Sequence, residues 1–126
     1  MKRTELARAK ALCAQYLDKG RGVLAAVSGG LDSMCLLHFL RAEGYDVSCA
    51  HFNHRLRGGE AARDEEFVRA WCAQEGIPFY LGIGDVRAHA RAHRISEEEA
   101  GRDLRYALLR ETAASLHAQL ALAHHA

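Results

Sequence analysis

The sequence predicts an α/β domain, a mainly parallel sheet with helices on both faces. Three observations lead there. Short apolar runs alternate with longer segments of helical spacing, the pattern of parallel strands joined by crossover helices. The apolar run Val23–Val27 passes through Ser-Gly-Gly into a second apolar-periodic run, Met34–Leu40, so a strand turns directly into a helix. Finally, 126 residues at 49% hydrophobic composition, without repeat, low-complexity tract or linker, suit one core and a single domain over residues 1–126.

Taken in order, Thr4–Leu17 carries Leu6, Ala9, Leu12, Cys13, Tyr16 and Leu17 at helical spacing, with Thr4 as N-cap and Gly20 and Gly22 beyond its end. Val23–Val27 is the first strand, and a helix follows from Asp32 to Glu43 with Gly44 at its C-cap. Asp46–Phe52 reads as the second strand and Asn53–Gly59 as a loop. Glu60–Glu75 is a helix with Phe67, Val68, Trp71 and Cys72 on one face, closed by Gly76. Ile77–Leu81 is the third strand, its Pro78 placed at the start, where a missing N–H is tolerated. Asp85–His93 forms a short polar helix, on which His89 and His93 read as solvated. Ser96 opens a Ser-x-x-Glu capping pattern and a helix to about His117, and Gln119–Ala123 is a fourth strand. A strand so near the terminus leaves out the residues that follow it, so the domain is expected to be incomplete at its C-terminal end.

Charge and cysteine usage narrow the function classes. A net charge of +1 leaves no chain-wide footprint for nucleic acid. Lys2, Arg3, Arg8, Lys10, Lys19 and Arg21 make the first segment locally basic, either a solvated helix face or a contact for a phosphate backbone. Cys13, Cys35, Cys49 and Cys72 form no Cys-x-x-Cys pair, and Cys35 and Cys49 read as core. No signal region and no run of eighteen apolar residues occurs, so a cytoplasmic protein with no membrane partner is expected.

The chemistry centres on Ser28-Gly29-Gly30-Leu31-Asp32-Ser33. A helix N-terminus offers free N–H groups and the positive end of the macrodipole, so a strand that turns into one through glycines is suited to an anion. Gly29 and Gly30 carry no Cβ to hold a phosphate away, and Ser28 and Ser33 add hydroxyls. No Gly-Lys-Ser/Thr follows, which excludes a Walker A loop, and the dinucleotide Gly-x-Gly-x-x-Gly is absent. Asp32 either binds the Mg²⁺ of a nucleotide or caps the helix. The alternative for the whole stretch is a turn that needs glycine for geometry alone.

In open α/β sheets the C-terminal strand ends share one edge, which here collects Ser28–Ser33, His51–His54 and His124-His125. Those histidines suit a polar loop around an adenylate, or a zinc site. On the last helix, Glu98, Arg102 and Arg105 interleave acid and base, either a salt-bridged surface or arginines that reach phosphates.

Ser28–Ser33 resembles the pyrophosphate-loop signature Ser-Gly-Gly-x-Asp-Ser of the N-type ATP pyrophosphatases. The order continues with His-Phe-Asn-His-x-Leu-Arg-Gly (His51–Gly58), Glu-x-x-x-Arg-x-x-Arg-Tyr (Glu98–Tyr106) and Ala-His-His-Ala (Ala123–Ala126). Together these resemble the tRNA(Ile)-lysidine synthetases. That resemblance implies an adenine-nucleotide alpha-hydrolase-like fold, with ATP and Mg²⁺ as cofactors. It implies a ligase that adenylates the carbonyl oxygen of a wobble cytidine in a tRNA(Ile) with a CAU anticodon. The amine of free L-lysine then displaces AMP.

Carried over by position, Ser28, Gly29, Gly30, Leu31, Asp32, Ser33 and His51 would bind the nucleotide, with Asp32 on Mg²⁺. Asp32, Arg102 and Arg105 would be catalytic, and His54, Glu98, His124 and His125 would face substrate. A homodimer is one expected assembly. The family's Asp-Asp segment and C-terminal tRNA-binding domains do not follow Ala126, so this stretch by itself is expected to bind nucleotide without full activity. The competing readings are a pyrophosphate-loop tRNA thiolation enzyme, against which the lack of a paired cysteine motif argues, and a nucleotide-binding module without turnover.

Overall fold

The computed structural model describes residues 3–53 and 58–122. Its elements are α1 (Arg3–Tyr16), β1 (Val23–Ala26), α2 (Leu31–Ala42), β2 (Val47–Asn53), α3 (Gly58–Glu75), β3 (Phe79–Ile83), α4 (Val86–His93), α5 (Glu97–Leu116) and β4 (Gln119–Leu122). The strands form a four-stranded sheet in the order β3-β2-β1-β4, and each neighbouring pair is parallel. The α/β parallel architecture expected from the sequence is therefore present.

Period-two alternation divides the core between two faces. Val23, Ala25 and Val27 of the first strand segment join Val47, Cys49, Leu37, Leu40, Val68 and Cys72 on the face covered by α2 and α3. Leu24 and Ala50 point the other way, onto Leu109 and Ala113 of α5. A third cluster, Val86, Ala90 and Ala100 with Phe52, Ile95 and Leu104 against it, joins α4 to α5 at the end of the sheet. The chain moves outward from β1 through β2 to β3, then crosses back to β4 on the far side of β1. That reversal, with crossovers of one hand, carries α5 to the opposite face from α2 and α3.

Several elements differ from their sequence reading. β3 is Phe79–Ile83, later than the expected Ile77–Leu81. The Ile77 N–H is taken by the Cys72 carbonyl in the α3 cap, and Pro78 contributes only its carbonyl, to Cys49 N–H at 2.8 Å. Leu12 and Tyr16 are exposed, since the contact of this helix with the core runs through Cys13 and then Leu17. Phe67 is exposed as well, because Val68 and Cys72 face the sheet and position 67 lies about 100° around the helix from Val68. Cys35 sits on the outer face of α2, not in the core, whereas Cys49 and Cys72 are buried. A hydrogen bond with Cys72, together with burial, pushes the Cys49 thiol up, which keeps it a protonated core residue.

Four helices end alike, with a left-handed residue whose N–H bonds back three residues and a following N–H that bonds back five. Gly44 and Gly76 serve α2 and α3, but Arg94 (φ 54°) and His117 (φ 53°) serve α4 and α5. A side chain at such φ carries a steric cost that glycine avoids. Arg94→Gly is therefore expected to raise stability by about 0.5–1 kcal/mol and Gly44→Ala to lower it by about 1 kcal/mol. Urea midpoints of the two variants check this; an unchanged midpoint for Gly44→Ala would mean that the left-handed turn imposes no demand.

Candidate functional site

β1 ends in the middle of the sheet, and the loop after it is held by its own side chains. Ser33 is buried in the first turn of α2, and its Oγ accepts the Ser28 N–H at 3.1 Å and donates to the Gly30 carbonyl at 3.1 Å. The Ser28 and Ser33 hydroxyls meet at 3.1 Å, and Ser28 Oγ accepts the Gly30 N–H at 3.2 Å. α2 then begins on Gly30 with no side-chain cap. By contrast, α4 and α5 are capped by Asp85 and Ser96, which accept the Ala88 and Glu99 N–H groups at 3.0 Å. Among the described residues, the first N–H groups of α2, at Leu31, Asp32 and Ser33, have no side-chain acceptor, and the Leu31 and Asp32 side chains beside them are exposed.

Gly29 fixes where this turn lies. Its φ is +96°, and a Cβ there would meet Asp64 Cβ at 3.4 Å and Val68 Cγ2 at 3.5 Å. The loop therefore presses against α3, which brings the carboxylate of Asp64 beside it. Beneath the loop, the buried His51 directs Nδ1 at the Val27 carbonyl, 2.8 Å away.

Next to His51, Asn53 ends β2 and donates through Nδ2 to Glu65 Oε1 at 3.1 Å. Arg69 donates to the other carboxylate oxygen at 3.1 Å and lies 4.8 Å from the Phe79 ring centroid. The Asn53 amide and then Arg69 hold the half-buried Glu65 carboxyl below the usual carboxylate range. Neither Asp64 nor the Asn53–Glu65 pair was singled out in the sequence. Glu65 and Arg69 stand four apart on a helix, but that spacing is common on solvated faces, and only the register of β2 against α3 brings Asn53 to them.

The α5 residues stand apart from the loop's hydrogen bonds. The expected charge ladder within α5 is replaced by links to α4: Glu97 to Arg87 at 3.9 Å and Asp103 to His89 at 3.8 Å. His89 is half-buried between α4 and α5 and not fully solvated, while His93 is exposed with its ring centroid 4.3 Å from that of His89. Glu98 and Arg102 are exposed, and the half-buried Arg105 guanidinium lies 5.4 Å from the Tyr106 ring centroid. Among the described residues, no group of three or more His, Cys, Asp or Glu side chains is arranged to hold a metal ion. His54, His124 and His125 lie outside the described residues. No described helix is long and apolar enough to cross a membrane.

A parallel sheet whose central strand runs through two glycines into a helix N-terminus is an arrangement suited to binding phosphate. The chain belongs to the PP-loop domain family, which it matches over residues 1–126. Within that family it is similar to tRNA(Ile)-lysidine synthases. It is 42% identical over 109 residues to that of Clostridium acetobutylicum, a match that covers 82% of this chain and 24% of that protein. It is 42% identical over 116 residues to that of Petrotoga mobilis (88% and 37%). It is 39% identical over 111 residues to that of Bacillus subtilis (85% and 24%). The chain thus spans well under half the length of each of these relatives. In fold it is similar to an NH3-dependent NAD synthetase from Campylobacter jejuni, with a TM-score of 0.69 at 14% identity over 95% of this chain and 56% of that one.

The lowered Glu65 carboxyl makes a signed prediction. Its stabilising contribution is present above the unfolded-state value, about 4.3, and is lost as pH falls through the folded-state value. Wild type is expected to exceed Glu65→Gln in stability near pH 7 and to lose that lead progressively as pH falls below about 4.3. Denaturation midpoints across this range test it, and a gap that does not change with pH would assign Glu65 to packing alone.

Proposed function

We propose that this chain is the ATP-binding part of a tRNA(Ile)-lysidine synthetase, a ligase that acts in the cytoplasm. The observation that carries the reading is the uncapped start of α2 behind Gly29 and Gly30, at the central strand of the sheet. It gains weight from about 40% identity with named synthases.

The residues present suit Mg·ATP. Backbone N–H groups of the turn and the exposed Ser28 hydroxyl are donors for a phosphate chain, while the buried Ser33 hydroxyl, spent on the Gly30 carbonyl, holds the shape of the turn. Asp32, exposed in the first turn of α2, is a hard oxygen ligand of the kind that Mg²⁺ takes. Bound Mg·ATP would supply an adenylyl group to the carbonyl oxygen of a wobble cytidine, making AMP the leaving group when free lysine attacks. In this reading the chain supplies no nucleophile. Ser28 to Ser33 hold and orient the phosphates, and Arg102 and Arg105 offset negative charge as it develops. Glu98, with His54, His124 and His125, would line the substrate side. A nucleotide-binding module without turnover is the second reading, favoured by the limited span of the relatives that the chain covers.

Calorimetric titration with Mg·ATP is the direct test. Saturable binding is expected, weakened about tenfold in Ser28→Ala, as for loss of a hydrogen-bonding hydroxyl. Asp32→Ala should weaken binding with Mg²⁺ present and have little effect without it; equal losses would remove the metal role. Installed in a full-length synthetase, Arg105→Ala should slow tRNA-dependent pyrophosphate release at least tenfold with ATP affinity within about twofold. An unchanged rate would return α5 to a surface role.

A further inference from the structure

His51 reads from the sequence as one of the nucleotide-binding residues, but its surroundings suit a different task. Among the described residues, the buried polar side chains are Ser33 and His51, with exposures of 5% and 4%. Both grip the same peptide unit. The Val27 carbonyl accepts from His51 Nδ1 at 2.8 Å, and the N–H at the other end of that unit, on Ser28, donates to Ser33 Oγ at 3.1 Å. A carbonyl only accepts, so Nδ1 carries a proton and the tautomer is fixed.

The ring is itself immobilised. His51 lies within β2, paired in register with Leu81 of β3, and its ring stacks on Phe79 with centroids 6.4 Å apart and planes 25° apart. Phe79 is contacted in turn by Arg69, which lies over its ring and is bonded to Glu65. A planar peptide held at its C=O and its N–H cannot rotate, and that rotation decides where the next N–H groups, at Gly29 and Gly30, point. Ser33 acts from the helix that follows the turn and His51 from the neighbouring strand, so the clamp joins loop, helix and sheet.

We propose that His51 is a positioning residue: it holds the Val27–Ser28 peptide so that the turn is shaped for phosphate before nucleotide arrives, and it does not touch the nucleotide. The proposal rests on the ATP-binding reading for its consequence and on the clamp alone for its structure. Pre-formed donors avoid the ordering cost of a loop that must reorganise on binding, so loss of the clamp shows as weaker binding.

The test uses the 126-residue chain. His51→Phe keeps a ring without a donor, and His51→Asn keeps an amide donor close to the Nδ1 position. Exchange protection of the Ser28 amide, read by NMR without nucleotide, and Mg·ATP affinity are measured on each. The expected result is near-wild-type behaviour for His51→Asn. His51→Phe should lose Ser28 protection and bind about tenfold more weakly. In a Ser33→Ala background, where the clamp is already open, His51→Phe should cost about twofold or less.

Weaker binding with an unchanged Ser28 amide would overturn the proposal in favour of direct contact. No change in either measurement would reduce His51 to packing. Should His51→Phe fail to fold, His51→Leu, which likewise has no donor, takes its place with the same expectations. A wild-type chain that binds no Mg·ATP would count against the ATP reading, and the amide measurement would still decide whether the clamp exists.

Discussion

β1 is hydrogen-bonded to β2 on one edge and β4 on the other, and apolar clusters cover both of its faces. With Val23, Leu24 and Ala25 fully buried, the strand has no freedom to slip or tilt. Register follows, since a shift by one residue would turn every side chain to the opposite face. The loop at its end inherits that position. Ser28 and Gly29 lie where they do because Val27 is buried and its carbonyl is held from β2.

The second constraint is how closely α5 approaches the sheet. A Cβ at Gly82 would meet Leu108 Cγ at 2.9 Å, and one at Gly84 would meet Phe52 Cζ at 2.8 Å and Leu104 Cδ1 at 3.1 Å. Glycine at these places in and after β3 lets Leu104 and Leu108 lie against the strand, which seats the half of α5 that carries Arg102 and Arg105. The α4 contacts complete the seating, with Val86 and Ala90 buried on Ala100.

Charge around the loop has a consistent character. The donors are backbone N–H groups and hydroxyls, while the nearby acids, Asp32 and Asp64, are exposed and Glu65 is held ionised by Asn53 and Arg69. Acids beside an anion site oppose a bare phosphate and favour one that arrives with a cation, in keeping with the proposed Mg·ATP. The overall charge of +1 adds no attraction of its own for a polyanion. Substrate selection, in this reading, lies in local geometry and not in long-range steering.

The sequence by itself determined the alternation of strands and helices, the parallel sheet, and the glycine turn into α2. These follow from local period and from residue types, which act over a few neighbours. It also placed Ser96 as the cap of α5, because Ser-x-x-Glu is a local hydrogen-bonding pattern. The tertiary structure decided the rest. Which apolar residues face the core, against the expectation for Leu12, Tyr16, Cys35 and Phe67, depends on which flank of a helix meets the sheet, and helical spacing does not fix that. The partners of Asn53 and His51 lie on other elements, up to 24 residues away for the His51–Val27 pair. A hydrogen bond across strands depends on register and tautomer, and neither is written in the local chain, so His51 could be recognised from sequence as a site residue while its hold on the Val27 carbonyl could not.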